Sequence, residues 1–302
     1  MADHLQAATS YEGHKGAVYA LCAVDEDTFL SAGGDGIVVR WRTDAPEQGE
    51  ALINAGEPVF SLAYDHVHDL VLVGTGSGRL LSVSAKSRSV VEDGTHVKGI
   101  FRILQYGEHG LFTAGGDGML GSWTWSDAGA GSYRKLRSIP LSAEKLRDLE
   151  LFGGAEEMAV AAGDGTIRIL RARDLNEVAR ADGHEGGATA VIRHRMKQAL
   201  LSGGKDGHIK VWRLDGSLVH SVAAHKGTIY SVITDPAASY ILTAGRDALL
   251  KVWNAETLEP THRSKRDRSG HTHSINAMIT CGGLILTGSD DRRIRGWRSP
   301  RP

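Results

Sequence analysis

The sequence predicts an all-β fold, a seven-bladed propeller of four-stranded units in which the N-terminal strand closes the last blade. Three observations carry this. One hairpin sequence recurs seven times, its copies are spaced in the low forties, and only five residues follow the last copy, leaving that unit one strand short.

The clearest copy is LLSGGKDGHIKVW at 200–212. Residues 200–203 read as a strand going in, Lys205-Asp206-Gly207 as a tight turn and residues 208–212 as the returning strand, with Asp-Gly as the hairpin signal. Close copies stand at 31–41, 113–123, 243–253 and 287–297, and degraded ones end at Val83 and Leu170. The seven end positions, 41, 83, 123, 170, 212, 253 and 297, are separated by 42, 40, 47, 42, 41 and 44 residues. That period suits four short strands per unit and therefore a propeller blade.

The 302 residues are thus read as one repetitive domain, 1–302, with no linker or second domain. The units fall at about 13–54, 55–95, 96–141, 142–182, 183–223, 224–269 and 270–302, with 4–11 added to the last. Such closure leaves no open sheet edge at the junction. Hydrophobic content of 41%, 38 glycines and 7 prolines fit a turn-rich β protein. No stretch approaches the roughly 20 apolar residues of a membrane span, and the N-terminus has no signal-peptide core. Cys22 and Cys281 lie in apolar strand-like segments and read as free thiols, so the expected compartment is the cytoplasm and the expected state a monomer.

Along the chain, the first unit opens at Gly13-His14 and its outer strand is expected near 50–54. The second is the most divergent, its turn replaced by Gly74-Thr75-Gly76-Ser77-Gly78. The third is regular and is followed by the longest connection, an expected exposed loop at 126–132. The fourth keeps only Asp164-Gly165 of the signature. The last three are again regular.

Five units place His, Ser/Thr, Asp and Trp at matching positions. The sets are His14, Ser31, Asp35 and Trp41; His96, Thr113, Asp117 and Trp123; His184, Ser202, Asp206 and Trp212; His225, Thr243, Asp247 and Trp253; and His271, Thr287, Asp291 and Trp297. With its Gly-His pairs and hairpins ending in Trp, the whole chain resembles the WD-repeat (WD40) β-propeller family. The resemblance implies that each set is a hydrogen-bonded ladder within one blade. The Asp that usually follows the Trp is missing, with Arg42, Thr124, Arg213, Asn254 and Arg298 in its place.

A Ser-His-Asp set also invites a catalytic reading, because a nucleophilic hydroxyl needs a base and an orienting carboxylate. Five copies argue for scaffold instead. A catalyst needs one set beside a pocket, whereas each blade must pair its own buried indole, hydroxyl and imidazole. No enzyme activity is expected, and blades two and four, which lack the set, are expected to be the softer part of the ring.

No cofactor is expected. The glycines at 74, 76 and 78 resemble a dinucleotide loop, but no helix follows. His66 with His68, and His271 with His273, are spaced to share a metal, although such pairs more often belong to polar loops, and no metal site is assigned.

The resemblance to the WD-repeat family implies that partners bind on the loop-bearing face and that two positions per blade are its interaction sites. By register the residues Tyr19, Phe60, Phe101, Arg147, Thr189, Tyr230 and Asn276 project there, as do Gly34, Gly76, Gly116, Gly163, Lys205, Arg246 and Asp290 just before the turn. Small glycines leave Tyr19, Phe60 and Phe101 uncovered as an aromatic side, with Lys145, Arg147, Lys205 and Arg246 as a basic side opposite. The expected function is a non-catalytic protein-interaction scaffold binding a protein or peptide with an apolar or aromatic anchor and acidic or phosphorylated residues. The alternative is nucleic-acid or anionic-surface binding through 262–268 with Arg292, Arg293 and Arg295, in a segment (261–302) of net charge +6. No aromatic platform interleaves those charges, which favours a solvated outer strand. A propeller enzyme is a third reading, and the register shows no cluster of carboxylates facing the channel.

Overall fold

The computed structural model describes residues 3–5, 7–127, 132–195, 197–267 and 269–298. Positions 128–131 of the expected loop, Arg268 of the basic segment and the His4 side chain lie outside them. Every regular element among the described residues is a strand, and the strands form seven antiparallel blades of four, with one further short strand added at the rim of blade six.

Blade five shows the pattern. From channel to rim it runs Ala188–His194, Ala199–Gly204, His208–Arg213 and Leu218–Ala223. The second strand, ALLSGG, is buried at all six positions, while the rim strand is exposed at five of six. A blade has a neighbour on each face, so its inner strands are covered on both sides and read as apolar runs, whereas the rim strand keeps contact with water. Leu201, Ile209 and Val211 of blade five pack on Val232, Ile241 and Trp253 of blade six in one cluster. Burying one such Leu or Ile contributes about 1.5–3 kcal/mol, so apolar area holds blade to blade.

The turn is a three-residue hairpin loop rather than the two-residue type usually associated with Asp-Gly. The amide of Gly36 donates to the Gly33 carbonyl (3.1 Å), and the equivalent bond closes the other six turns. The residue after the turn Asp then has positive φ: Gly36 (73°), Gly118 (76°), Gly165 (93°) and Gly207 (73°), but also Ala248 (65°) and Arg292 (68°). Its carbonyl accepts the next blade's incoming loop, as from His96 to Gly78 (2.8 Å) and His225 to Gly207 (2.9 Å).

Closure is as expected in kind but divided in detail. Residues Ala7–Glu12 pair antiparallel with Arg293–Arg298 and complete blade seven. Residues Asp3–Leu5, however, run parallel to Pro260–Ser264 on the rim of blade six, and Leu5 packs in a core with Leu242 and Trp297. The segment 4–11 therefore straps two blades. The outer strand of blade one also starts earlier than expected, at Ala45–Asn54.

Candidate functional site: the channel mouth

Every innermost strand carries a β-bulge at its second residue. Val18 pairs with Gly33 and Ala20 with Ala32, leaving Tyr19 outside the ladder; the same slip isolates Phe60, Phe101, Arg147, Thr189, Tyr230 and Asn276. A bulge re-aims the extra side chain, here toward the end of the channel. The residue before each turn Asp sits alongside, because its amide donates back to the start of the same inner strand, as from Gly34 to Ala17 (2.8 Å), Lys205 to Gly187 (2.9 Å) and Asp290 to Ser274 (2.9 Å). The two positions per blade that the sequence singled out thus form two adjacent rings. The bulge itself has no signature in the sequence.

Six of the seven bulge residues, with Asp290, enclose a cavity of about 310 Å³. The rings of Tyr19 and Phe60 meet edge to face at 5.6 Å, and those of Phe60 and Phe101 stack at 5.2 Å. Each lies against glycine: a Cβ at position 34 would stand 3.6 Å from Tyr19, at 76 3.4 Å from Phe60 and at 116 2.9 Å from Phe101. All three rings are half-buried. Thr189 departs from the pattern. It is buried, and its hydroxyl shares its one proton between the backbone carbonyls of Gly203 (3.0 Å) and Ile229.

The cations are not all opposite the aromatics. The Arg147 guanidinium lies 4.4 Å from the Phe101 ring centre and the Lys145 ammonium 5.6 Å from it, both as cation–π contacts. Burial pushes the Arg147 pKa below its usual value, against the pull of Tyr230 and Asp148. Lys205 and Arg246 are exposed. At the other end of the arc, Asn276 donates to Asp290 (2.8 Å) and to the Val18 carbonyl (3.0 Å).

All five His-Ser/Thr-Asp-Trp sets assemble. In blade five, His184 Nδ1 is 3.0 Å from the Asp206 carboxylate, His184 Nε2 is 2.6 Å from Ser202 Oγ, and Trp212 Nε1 donates to that Oγ at 2.7 Å. Because an ionised carboxylate only accepts, Nδ1 carries the imidazole proton, Ser202 donates to Nε2, and its oxygen accepts from the indole. The same bonds recur around Ser31, Thr113, Thr243 and Thr287. Burial alone would raise the Asp206 carboxyl, but hydrogen bonds from His184 and the His208 amide hold it below the usual range. Ser202 is 0% exposed and its hydroxyl is fully engaged, so no substrate reaches it.

The family model described as WD domain, G-beta repeat matches residues 6–42, 176–213, 216–254 and 263–298. The chain belongs to the WD40 repeat family. The crystal structure of the WD40 β-propeller domain of Doa1 superposes with a TM-score of 0.85 at 17% identity, over 100% of this chain and 98% of that one, a likeness of fold. No curated protein matches the sequence. The family matches fall on blades one, five, six and seven, each of which carries a complete ladder.

One expectation about the channel of this WD40 propeller is overturned. Two carboxylates do converge there. Asp148 and Glu150 project from the inner strand Leu146–Phe152 into a cavity of about 370 Å³ whose walls include Arg102, Arg193 and Arg195. They alternate at i and i+2, which places them on one strand face. Burial holds both above the usual carboxylate range, opposed by Arg102 and the Val191 amide at Asp148 and by the Arg193 amide at Glu150. Asp148 accepts from the Val191 amide (3.0 Å) and pairs with Arg102 (3.3 Å); Glu150 accepts from the Arg193 amide (3.2 Å). They therefore stitch blade four to blade five.

The weaker motifs resolve locally. Gly74 belongs to the strand Leu70–Thr75, and Gly76 and Gly78 lie in the hairpin turn between it and Arg79–Ser84. His68 stacks on Trp125 (3.7 Å) and bonds Asp65 (2.6 Å), while His271 is held in its ladder. In the basic segment Arg295 is buried and Arg293 pairs with Glu12 (3.2 Å), while Arg263, Lys265, Arg266 and Arg292 are exposed.

Proposed function

We propose that the protein is a non-catalytic interaction scaffold that docks a protein or peptide segment across the channel mouth. An apolar or aromatic side chain of the partner packs on the arc Tyr19, Phe60 and Phe101, and its acidic or phosphorylated residues face Lys145, Arg147, Lys205 and Arg246. Tyr230, Asn276 and Asp290 complete the rim. The observation that carries this reading is the continuous half-buried aromatic arc, held by bulges and bared by glycines at the open end of a rigid ring. Aromatic anchors in partly desolvated pockets dominate such interfaces. The reading includes a monomer in a reducing compartment such as the cytoplasm, in keeping with two free thiols.

The test selects a displayed random-peptide library against the purified protein. Enriched peptides should combine an apolar or aromatic residue with acidic neighbours, and Phe60→Ala or Phe101→Ala should weaken them at least tenfold. Enriched peptides that bind both variants like wild type would place docking elsewhere.

A further inference from the structure

Beside the aromatic mouth, and sharing Arg147 and Tyr230 with it, lies a separate cleft of about 280 Å³ between blades four, five and six. We infer that this cleft, framed by Lys145, Arg147 and Lys205, is a receptor for a phosphomonoester dianion carried by the docked segment. The inference rests on the docking reading above and adds the chemical class of the second contact.

The Arg147 guanidinium lies over the Phe101 ring, 4.4 Å from its centre, a contact that uses none of its N–H donors. The nearest carboxylate in sequence, Asp148, is committed to Arg102 and to the amides of Val191 and Leu149. Among the described residues none of Lys145, Arg147 and Lys205 has an ion-pair partner within 4 Å. A partly buried guanidinium without a counter-ion has lost some of its hydration with nothing in return, and an anion that enters the cleft offsets that loss. Three cations against one carboxylate in the walls, Glu144, leave two positive charges to be matched. A phosphomonoester carries close to two negative charges at neutral pH and presents the oxygens that a guanidinium fork grips in bidentate fashion. A carboxylate supplies one charge, and a phosphodiester also supplies one.

The experiment titrates the protein, with its arginine side chains labelled for NMR, with N-acetyl-phosphoserine amide, N-acetyl-aspartate amide and a dinucleotide. The expected result is that phosphoserine amide shifts the Arg147 signal, binds at least fivefold more tightly than the other two, and tightens several-fold from pH 5 to 7 as the phosphate takes its second charge near pH 6. R147Q should lose at least fivefold, and so should K205Q, whose exposed side chain leaves the fold intact. Equal binding of the aspartate probe, equal binding of the dinucleotide, or no binding at all overturns the inference. A selected peptide that needs Phe60 but binds equally with phosphoserine, glutamate or serine would remove this inference and leave the docking reading standing.

Discussion

Ser202 shows how one hydroxyl serves a blade: it donates to imidazole, accepts from indole and is closed to solvent. Ser202→Ala strands both the buried indole N–H and the imidazole nitrogen, each costing about 1–3 kcal/mol. Urea unfolding should show that loss, and a loss below 0.5 kcal/mol would mean the ladder carries little. The turn residues give the opposite sign. Ala248 and Arg292 occupy the left-handed region that glycine fills in the other blades, a strain of about 1–2 kcal/mol partly offset by the entropy glycine would lose. Arg292→Gly should therefore raise stability by up to ~1 kcal/mol. Gly118→Ala should lower it, because its Cβ would stand 1.9 Å from the Ser142 carbonyl oxygen. The ladders were legible because four chemically distinct residues repeat at fixed spacing. The bulges were not, because an extra residue in a strand changes direction without changing composition.

At the scale of the blade, the expectation that blades two and four are soft rested on their missing ladders. The structure fills those places with Val73 and Val83 in blade two and Val160 and Leu170 in blade four, all buried. Replacing both partners of a hydrogen bond by apolar groups is nearly neutral. The loop-to-turn tie is also rebuilt: Glu57 accepts from Ser77 Oγ (2.7 Å) and Arg79 Nε (2.7 Å), and Asp164 accepts from Ser142 Oγ (2.8 Å) and Arg168 (3.0 Å). Native-state hydrogen exchange should accordingly give the central strands of blades two and four protection within ~1 kcal/mol of that in blades five and six. A gap of several kcal/mol would restore the simpler expectation. The contact between blades two and three carries its own pH dependence. Burial pushes the Asp93 carboxyl up to about 6, despite hydrogen bonds from Ser82 Oγ (2.6 Å) and the Tyr133 amide (2.6 Å). With the folded value above the unfolded one, its stabilising contribution is full below about 3.9 and is lost as pH rises through about 6. Asp93→Asn should thus gain stability over wild type above pH 6, and the gain should shrink toward pH 4. Thermal melts across that range check it, and a gain that grows on acidification would reverse the assignment.

For the whole molecule, the period of the hairpin made seven blades and their closure legible, since a unit short of one strand at one end requires a strand from the other. The strap of Asp3–Leu5 onto blade six was not legible, because three residues carry no period. Nor was the tie from Asp148 and Glu150 to blade five, which depends on the amides of Val191 and Arg193 in the neighbouring inner strand. Deleting residues 1–12 should uncover the edge of Arg293–Arg298 and lower the melting temperature with aggregation. An unchanged, monomeric melt would show that closure contributes little. The account as a whole holds that a riveted ring leaves one end of its channel free to dock a partner. Hydrogen-exchange mass spectrometry with and without a selected peptide tests this most directly. Protection confined to the peptides containing Tyr19, Phe60, Phe101 and Arg147 is the predicted result, and protection confined to the rim strands or to the opposite end of the channel would contradict it.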